Sequence, residues 1–269
     1  MPLLDPSGPI GAAEKSVLLT AIGLMLIVVV PVFLMTFWFA WRYRASNRKA
    51  RYAPEWASSG KIELAVWLVP AVIVSLLGLL TWNATHRLSP YRPLASTKDP
   101  LPIDAVAMNW KWLFIYPRQH IATVNQLVLQ TNVPVSFRLT SQTVMASFFI
   151  PRLGSQIYAM PGMRTKLHLL ADKAGIYTGR NFQFSGRGYS WMQFQVIVTS
   201  PQKFDVWVDR IKRSSGKLNL AALQKLERPS VETPIIYYAA VHPHLFEYIV
   251  HQSITGQGTY ASNGAVDVG

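Results

Sequence analysis

Hydrophobic and polar positions divide this chain into three regimes. The first holds two long stretches with no polar periodicity. Val17 to Ala40 (VLLTAIGLMLIVVVPVFLMTFWFA) carries no charge, and Leu64 to Trp82 (LAVWLVPAVIVSLLGLLTW) is equally apolar. A run of about 20 apolar residues spans the roughly 30 Å hydrocarbon layer as a helix. The first run contains Pro31, which predicts a kink, and the second contains Pro70. Trp38 and Trp41 close the first run, where amphipathic rings favour the membrane interface. The pattern predicts a transmembrane hairpin over 17–83, joined by a loop at 42–61.

The second regime alternates. Residues 84–100 are Pro-rich without periodicity and read as a linker. From Leu101 onward, Met108, Trp110, Trp112, Phe114 and Tyr116 fall at every second position, which predicts one aromatic strand face. Further strands are expected at 123–130 and 133–140. Met192, Phe194, Val196 and Val198 alternate with Trp191, Gln193, Gln195 and Ile197, the mark of a half-buried strand. Turn signals stand at 151–154, 160–162 and 172–175. The expectation is a small antiparallel β-sandwich over 101–200.

The third regime returns to helical spacing. Ser200-Pro201 is a helix start, with Ser as cap and Pro at the first position. Phe204, Trp207, Val208 and Ile211 then repeat at i, i+3, i+4 and i+7. Shorter helices are expected at 218–226 and 243–252, completing a helical C-terminal module over 201–252. Residues 253–269 are rich in Gly, Ser, Thr and Ala and predict disorder.

Charge orients the hairpin. The 42–61 loop carries Arg42, Arg44, Arg48, Lys49, Arg51 and Lys61 against Glu55, whereas the first sixteen residues hold only Lys15 among bases. Short-loop basic bias marks the cytoplasmic side, so both termini face the periplasm of a bacterial inner membrane, with residues 1–16 a short periplasmic segment. The net charge of +13 is scattered and accompanied by no nucleic-acid motif; anionic phospholipid headgroups are the partner expected for part of it. The absence of Cys excludes disulfides, iron–sulfur clusters and thiolate metal sites. Residues 1–15 show no signal peptide.

SFFIPRLG at 147–154, AMPGM at 159–163 and Gly175-Ile176-Tyr177 together resemble the cupredoxin domain of the haem–copper oxidase subunit II family. That resemblance extends over nearly the whole chain. In copper-bearing members the framework holds a binuclear copper centre through two Cys, two His, a Met and a backbone carbonyl. Here Ala146 and Tyr189 stand at the two His positions, Asn181 and Ser185 at the Cys positions, and Gln183 at the carbonyl position. Met192 alone matches. Copper at such a site needs thiolate and imidazole donors. A kept scaffold with lost ligands resembles the quinol branch, the subunits II of bo-type ubiquinol oxidases. The aromatic C-terminal tail, with AALQKLERPS and YYAAVHPHLFEYIV, is similar to a module appended in that branch.

The resemblance implies a two-helix hairpin, an all-β cupredoxin-like sandwich and a helical C-terminal module, serving as a non-catalytic subunit of a proton-pumping oxidase that reduces dioxygen to water. This chain would carry no metal or other cofactor, while haems, copper and ubiquinol would belong to partner subunit I, which it would cover and stabilise. Family members begin with a lipidated Cys after a leader; either the leader lies outside this sequence or this member lacks one. The alternative is a stand-alone membrane-anchored cupredoxin-like binding or copper-handling module.

No nucleophile–base pair, nucleotide loop or paired-carboxylate signature appears, so no catalytic residue is expected. His242 and His244 lack a third ligand in sequence reach and read as surface residues, and His86, His120 and His168 are isolated. Glu63 opens the second apolar run seven residues before Pro70. A carboxylate there is either a favourable helix-terminus charge or, as the resemblance implies, a proton-entry group for subunit I.

Overall fold

The computed structural model describes residues 2–49, 55–56, 59–154 and 156–255. Two compact units emerge: Glu14–Ser89, and a folded domain that joins Met1–Ala13 to Pro90–Gly269. The loop cation Arg51 lies outside the described residues. Of the disorder expected over 253–269, residues 253–255 instead complete the last helix, where Ser253 Oγ and Thr255 Oγ1 donate back to its carbonyls. The remainder lies outside the described residues.

The first unit carries helices α1 (Pro9–Arg42) and α2 (Gly60–Arg87), which continue through Pro31 and Pro70. At 1.5 Å per residue each exceeds the roughly 30 Å of hydrocarbon it would cross. Their apolar side chains point outward almost without exception: Phe37, Trp67 and Leu79 are all exposed. A helix that is apolar all round and unburied within its own chain belongs in lipid or against other helices.

Helix α1 starts eight residues before the apolar run, because Pro9 supplies a pre-set first position and the turn it opens is docked on the folded domain. The Ser7 amide donates to the Arg152 carbonyl at 2.7 Å, Gly11 donates to Leu153 at 3.1 Å, and the Asp172 amide donates to Ser7 at 3.0 Å. Arg152 also pairs with Asp5, and Ile10 joins the domain's core. Gly8 lies so close that a Cβ would stand 2.1 Å from the Leu170 carbonyl oxygen. The N-terminal segment therefore packs as part of the domain.

The domain runs through β1 (Leu101–Met108), β2 (Lys111–Tyr116), β3 (Ile121–Val124), β4 (Gln126–Gln130), β5 (Pro134–Ser141), β6 (Ala146–Phe148), β7 (Ile157–Ala159), β8 (Thr165–Leu170), β9 (Gly175–Arg180) and β10 (Gln193–Thr199). Helix α3 (Pro201–Lys212), β11 (Lys217–Leu218), α4 (Leu220–Glu227), β12 (Ile236–Tyr238), β13 (Ala240–Val241) and α5 (Leu245–Thr255) follow. One sheet has the order β12-β3-β2-β1-β5-β8 and a second the order β4-β10-β9, with small pairs β6–β7 and β11–β13. The sandwich is mixed rather than antiparallel, since β1 pairs with β5 and β4 with β10 in parallel.

Two expected strands are broken by residues in the left-handed region. The aromatic stretch turns at Asn109-Trp110, with Trp110 at φ 64, and folds back so that Met108 pairs with Lys111. Trp112, Phe114 and Tyr116 then face the space between the sheets, while Met108 packs on the opposite side. Asn125, at φ 57, divides 123–130 into β3 and β4, which enter different sheets. Asn tolerates this backbone; its side chain accepts from the Trp112 amide at 2.9 Å and donates to the Thr233 carbonyl at 2.8 Å.

The six-stranded sheet is covered on both faces. Between the sheets, Phe148 packs against Trp112, Phe137 and Phe194 with ring centroids 5.2 Å apart in each pair. Across the other face, Val106, Leu113, Ile115 and Val124 meet Leu218, Leu223, Leu226, Phe246, Ile249 and Val250 of the C-terminal module. Strand β12 adds itself to β3 and closes that sheet edge. Ser200 and Asn219 cap α3 and α4 as acceptors. Helix α4 begins at Leu220 rather than Leu218 because Asn219 takes the cap position, and α5 begins after His244, at φ 56. Glu247 on α5 is clamped by Arg138 at 3.1 Å and Arg164 at 2.5 Å. Arg138 in turn holds buried Asp104 through bonds of 2.6 and 2.7 Å.

Candidate functional site

The residues singled out from the sequence meet at one pole of the sandwich, where β6, the Asn109-Trp110 turn and the loop from Asn181 to Met192 converge. Asn181 leaves β9 and is almost wholly buried. Its carboxamide bonds in several directions at once. Oδ1 accepts from the Ser147 amide at 2.8 Å and the Gln183 amide at 2.9 Å. Nδ2 donates to the Gln183 carbonyl at 2.8 Å, and lies 3.2 Å from Ser185 Oγ and 3.3 Å from Met192 Sδ. One amide thus ties together four of the residues around it.

Trp110 closes the pole from the side. Its indole N–H donates to the Ser185 carbonyl at 2.8 Å. Gly188 permits this, since a Cβ there would stand 2.2 Å from the ring. Ser147 Oγ accepts from the Phe182 amide at 2.7 Å. Ala146 and Met192 are buried, and the space among Ala107, Trp110, Ala146, Ser185 and Met192 does not admit a water molecule.

Ala146, Asn181, Gln183, Ser185 and Met192 lie together at this pole. Tyr189 does not join them: its ring packs on Phe184 at 5.8 Å, and only its carbonyl turns inward, accepting from the Met192 amide. This set does not fit copper. It offers a carboxamide, a hydroxyl and a thioether, with neither thiolate nor imidazole, and the Asn181 N–H₂ occupies the sulfur that a metal would use.

Sequence reasoning missed Lys111. Its ammonium is buried and donates to the carbonyls of Leu226 at 2.9 Å and Arg228 at 2.8 Å, so a β2 side chain caps the last turn of α4. Burial pulls its pKa down to about 8. A lone Lys between two Trp in an alternating strand faces opposite the aromatic side, where a polar residue is ordinarily solvated, so its burial left no mark in the sequence. Burial also raises the Asp104 carboxyl, against the opposing effect of Arg138.

The remaining candidates stand apart from the pole. Glu63 sits exposed in the first turn of α2, and its backbone amide donates to Ser59 at 2.9 Å. His120, His242 and His244 border a cleft of about 400 Å³ with Asp104, Arg138 and Glu247. His168 lies between the Pro90 carbonyl at 3.1 Å and Ser136 Oγ at 3.3 Å, and His86 Nδ1 is 2.8 Å from the Trp82 carbonyl. Among the described residues, no three His, Cys, Asp or Glu are grouped to hold a metal ion.

Comparison with known proteins gives two family matches. Residues 99–200 match "Cytochrome C oxidase subunit II, periplasmic domain", and residues 212–257 match "COX Aromatic Rich Motif". The chain is 52% identical over 248 residues to the cytochrome bo(3) ubiquinol oxidase subunit 2 of Pseudomonas putida, covering 92% of this chain and 79% of that protein. It is 48% identical over 265 residues to the ubiquinol oxidase subunit 2 of Acetobacter aceti, covering 97% and 86%. Among solved structures, the periplasmic domain of subunit II of a Bradyrhizobium japonicum cytochrome oxidase is 22% identical. It covers 44% of this chain and 96% of that one, with a TM-score of 0.41.

Proposed function

This chain belongs to the ubiquinol oxidase subunit 2 family, and from that premise we propose how it works within the complex. It is subunit 2 of a respiratory ubiquinol oxidase, a membrane protein with a periplasmic cupredoxin-like domain, and it assembles with other oxidase subunits. It carries no electrons. Quinol oxidation, haems and copper belong to subunit I, where dioxygen is reduced to water and protons are moved outward. This chain stabilises subunit I and covers its outer surface. The observation that carries the reading is the Asn181 carboxamide, bonded to Ser147, Gln183, Ser185 and Met192 where copper-bearing relatives would hold metal.

The domain limits follow the same reading: a periplasmic segment over 1–16, a hairpin over 17–83, a linker over 84–100, a cupredoxin-like domain over 101–200 and a helical module over 201–252. Both termini lie outside. The basic 42–61 loop supports this, and so does the docking of Ser7 and Gly11 on the domain. The loop cations contact anionic lipid headgroups, and nucleic acid is not a partner.

Purification of the complex through a tag on this chain tests the whole reading. A haem-bearing partner and ubiquinol oxidation should come with it, and stoichiometric copper bound to this chain would overturn it. Glu63 we place at the entry of a proton path into subunit I, an acid at the membrane edge being suited to proton handling. Glu63→Gln should lower turnover several-fold with normal haem content, and Glu63→Asp should be milder. Unchanged turnover in the assembled Gln variant leaves Glu63 only the helix-terminus effect of about 0.3–1 kcal/mol.

A further inference from the structure

The outer face of the three-stranded sheet carries an apolar groove that no other part of the domain fills. Ile197 of β10 stands opposite Ile176 of β9 on one side and Val128 of β4 on the other. Alternation along β10 turns this row away from the core, because Phe194, Val196 and Val198 take the inner face. Helix α3 runs beside β4 and adds Val206 and Trp207, so that Val128, Ile197, Val206 and Trp207 line a groove of about 370 Å³. That volume is within the range of small-molecule sites. Ile176 is 68% exposed and Val206 62%, so apolar surface here is left open to solvent.

The rim is charged with one sign. Lys203 and Arg210 line the same groove. With Val206 and Trp207 they fall at i, i+3, i+4 and i+7 on one face of α3, about 10 Å apart along its axis. Neither forms an ion pair among the described residues. The acids of this helix, Asp205 and Asp209, lie outside the lining. The indole N–H of Trp207, covered in the wall, meets no acceptor, and such orphans are rare in folded proteins. The charged and orphaned groups of the groove are therefore all donors. Its backbone offers nothing to a peptide strand: β10 is paired along both edges. On the outer edge of β4, the Val128 amide and carbonyl are both bonded to the Tyr116 hydroxyl.

We propose that this groove binds a fatty-acid carboxylate, with its methylene chain on Val128, Ile197, Val206 and Trp207 and its head on the Lys203–Arg210 rim. The apolar floor selects an apolar body, and two unpaired cations beside it select an anionic end. Arg210 suits a carboxylate, whose two oxygens match the planar guanidinium fork. The methylene stems of both cations extend the apolar wall. One groove of this size takes one chain, which favours a fatty acid over a two-chain phospholipid.

Photo-crosslinking with a diazirine-bearing dodecanoate tests this, on the full-length chain in phosphatidylcholine nanodiscs. Labelling should be saturable and should map to residues 197–210. Unlabelled dodecanoate should compete at about tenfold lower concentration than dodecanol, the worth of one charge-assisted hydrogen bond. Replacing both cations, Lys203→Gln with Arg210→Gln, should abolish that preference. Val206→Glu, which sets an anion in the mouth, should abolish the labelling itself. All three side chains are exposed, so an unchanged thermal unfolding curve shows that the variants are folded. Equal competition by dodecanol, or a preference that survives loss of both cations, overturns the proposal. Two further outcomes overturn it in favour of another occupant. Loss of labelling in phosphatidylglycerol nanodiscs assigns the groove to a phospholipid, and loss in the oxidase assembled with its partner subunits assigns it to a protein contact.

Discussion

The filled pole and the C-terminal face of the domain both hold the sandwich together, by opposite means. At the pole, one carboxamide makes directed bonds to Ser147, Gln183, Ser185 and Met192 across three chain segments. On the far side of the six-stranded sheet, more than a dozen apolar side chains from two chain regions simply bury one another. Directed bonds are few and each is indispensable to its neighbours, because a buried group stripped of its partner costs its full desolvation. Area burial is shared among many residues and tolerates loss of any small part. The pole should fail abruptly at one residue, and the module face gradually across many.

The largest effect is expected on the module face, where single side chains are big. Phe246 is buried and also lies 4.8 Å from the Arg138 guanidinium. Phe246→Ala should cost about 3–5 kcal/mol, read as loss of thermal stability in the purified full-length chain. Ile249→Val on the same face should cost only about 0.5–1.5 kcal/mol. Equal losses for Phe246→Ala and Ile249→Val would break the expectation that this face fails in proportion to the area removed.

Next comes Asn181→Leu, close in volume and unable to hydrogen-bond. It strands the amides of Ser147 and Gln183 and the Gln183 carbonyl, at about 1–3 kcal/mol for each group left bare; loop relaxation around Gln183 should hold the total near about 3 kcal/mol. Asn181→Asp separates the two halves of the amide. It still accepts from Ser147 and Gln183 but cannot donate to the Gln183 carbonyl or Met192, so it should fall between wild type and Leu. Equal stability of wild type and Leu in thermal unfolding would show that the pole is held by packing alone.

The two regions also differed in how much of them could be read from the sequence. Area leaves a periodic trace: the alternation of Met192, Phe194, Val196 and Val198 is the buried face of β10 and its approach, and Phe204, Val208 and Ile211 are the buried stripe of α3. Direction leaves almost none. Asn181, Ser185 and Gln183 stood out only through resemblance to copper-binding relatives, and nothing in their spacing announces that one amide joins them. The turn at Asn109-Trp110 was hidden because no Gly marks it, and a Trp at φ 64 is stabilised by its indole bond to Ser185, 75 residues away. Parallel pairing of β1 with β5 was equally invisible, since alternation fixes which face a strand buries but not its neighbour. The docked N-terminal segment has no periodicity at all; Ser7 and Gly11 are held by backbone bonds.

Lys111 stands between the two regions and gives the smallest and sharpest test. It follows the turn that closes the pole, and its ammonium reaches the last turn of α4 on the module face. Burial depresses its pKa to about 8, while in the unfolded chain a lysine titrates near about 10.4. Between those values the unfolded state binds more protons, so this group makes stability rise with pH across that window. A tenfold change in proton affinity on folding is worth about 1.4 kcal/mol. The two carbonyl acceptors and the negative end of the helix dipole favour the ammonium, so the rise should reach only about 1–2 kcal/mol. Lys111→Met removes the buried charge and leaves the Leu226 and Arg228 carbonyls unpaired, two losses of opposite sign. Its stability near neutral pH should therefore lie within about 1 kcal/mol of wild type, and the alkaline rise should vanish. If thermal unfolding instead shows several kcal/mol lost at neutral pH, then the ammonium is a directed staple like Asn181, and the module face depends on single bonds as the pole does.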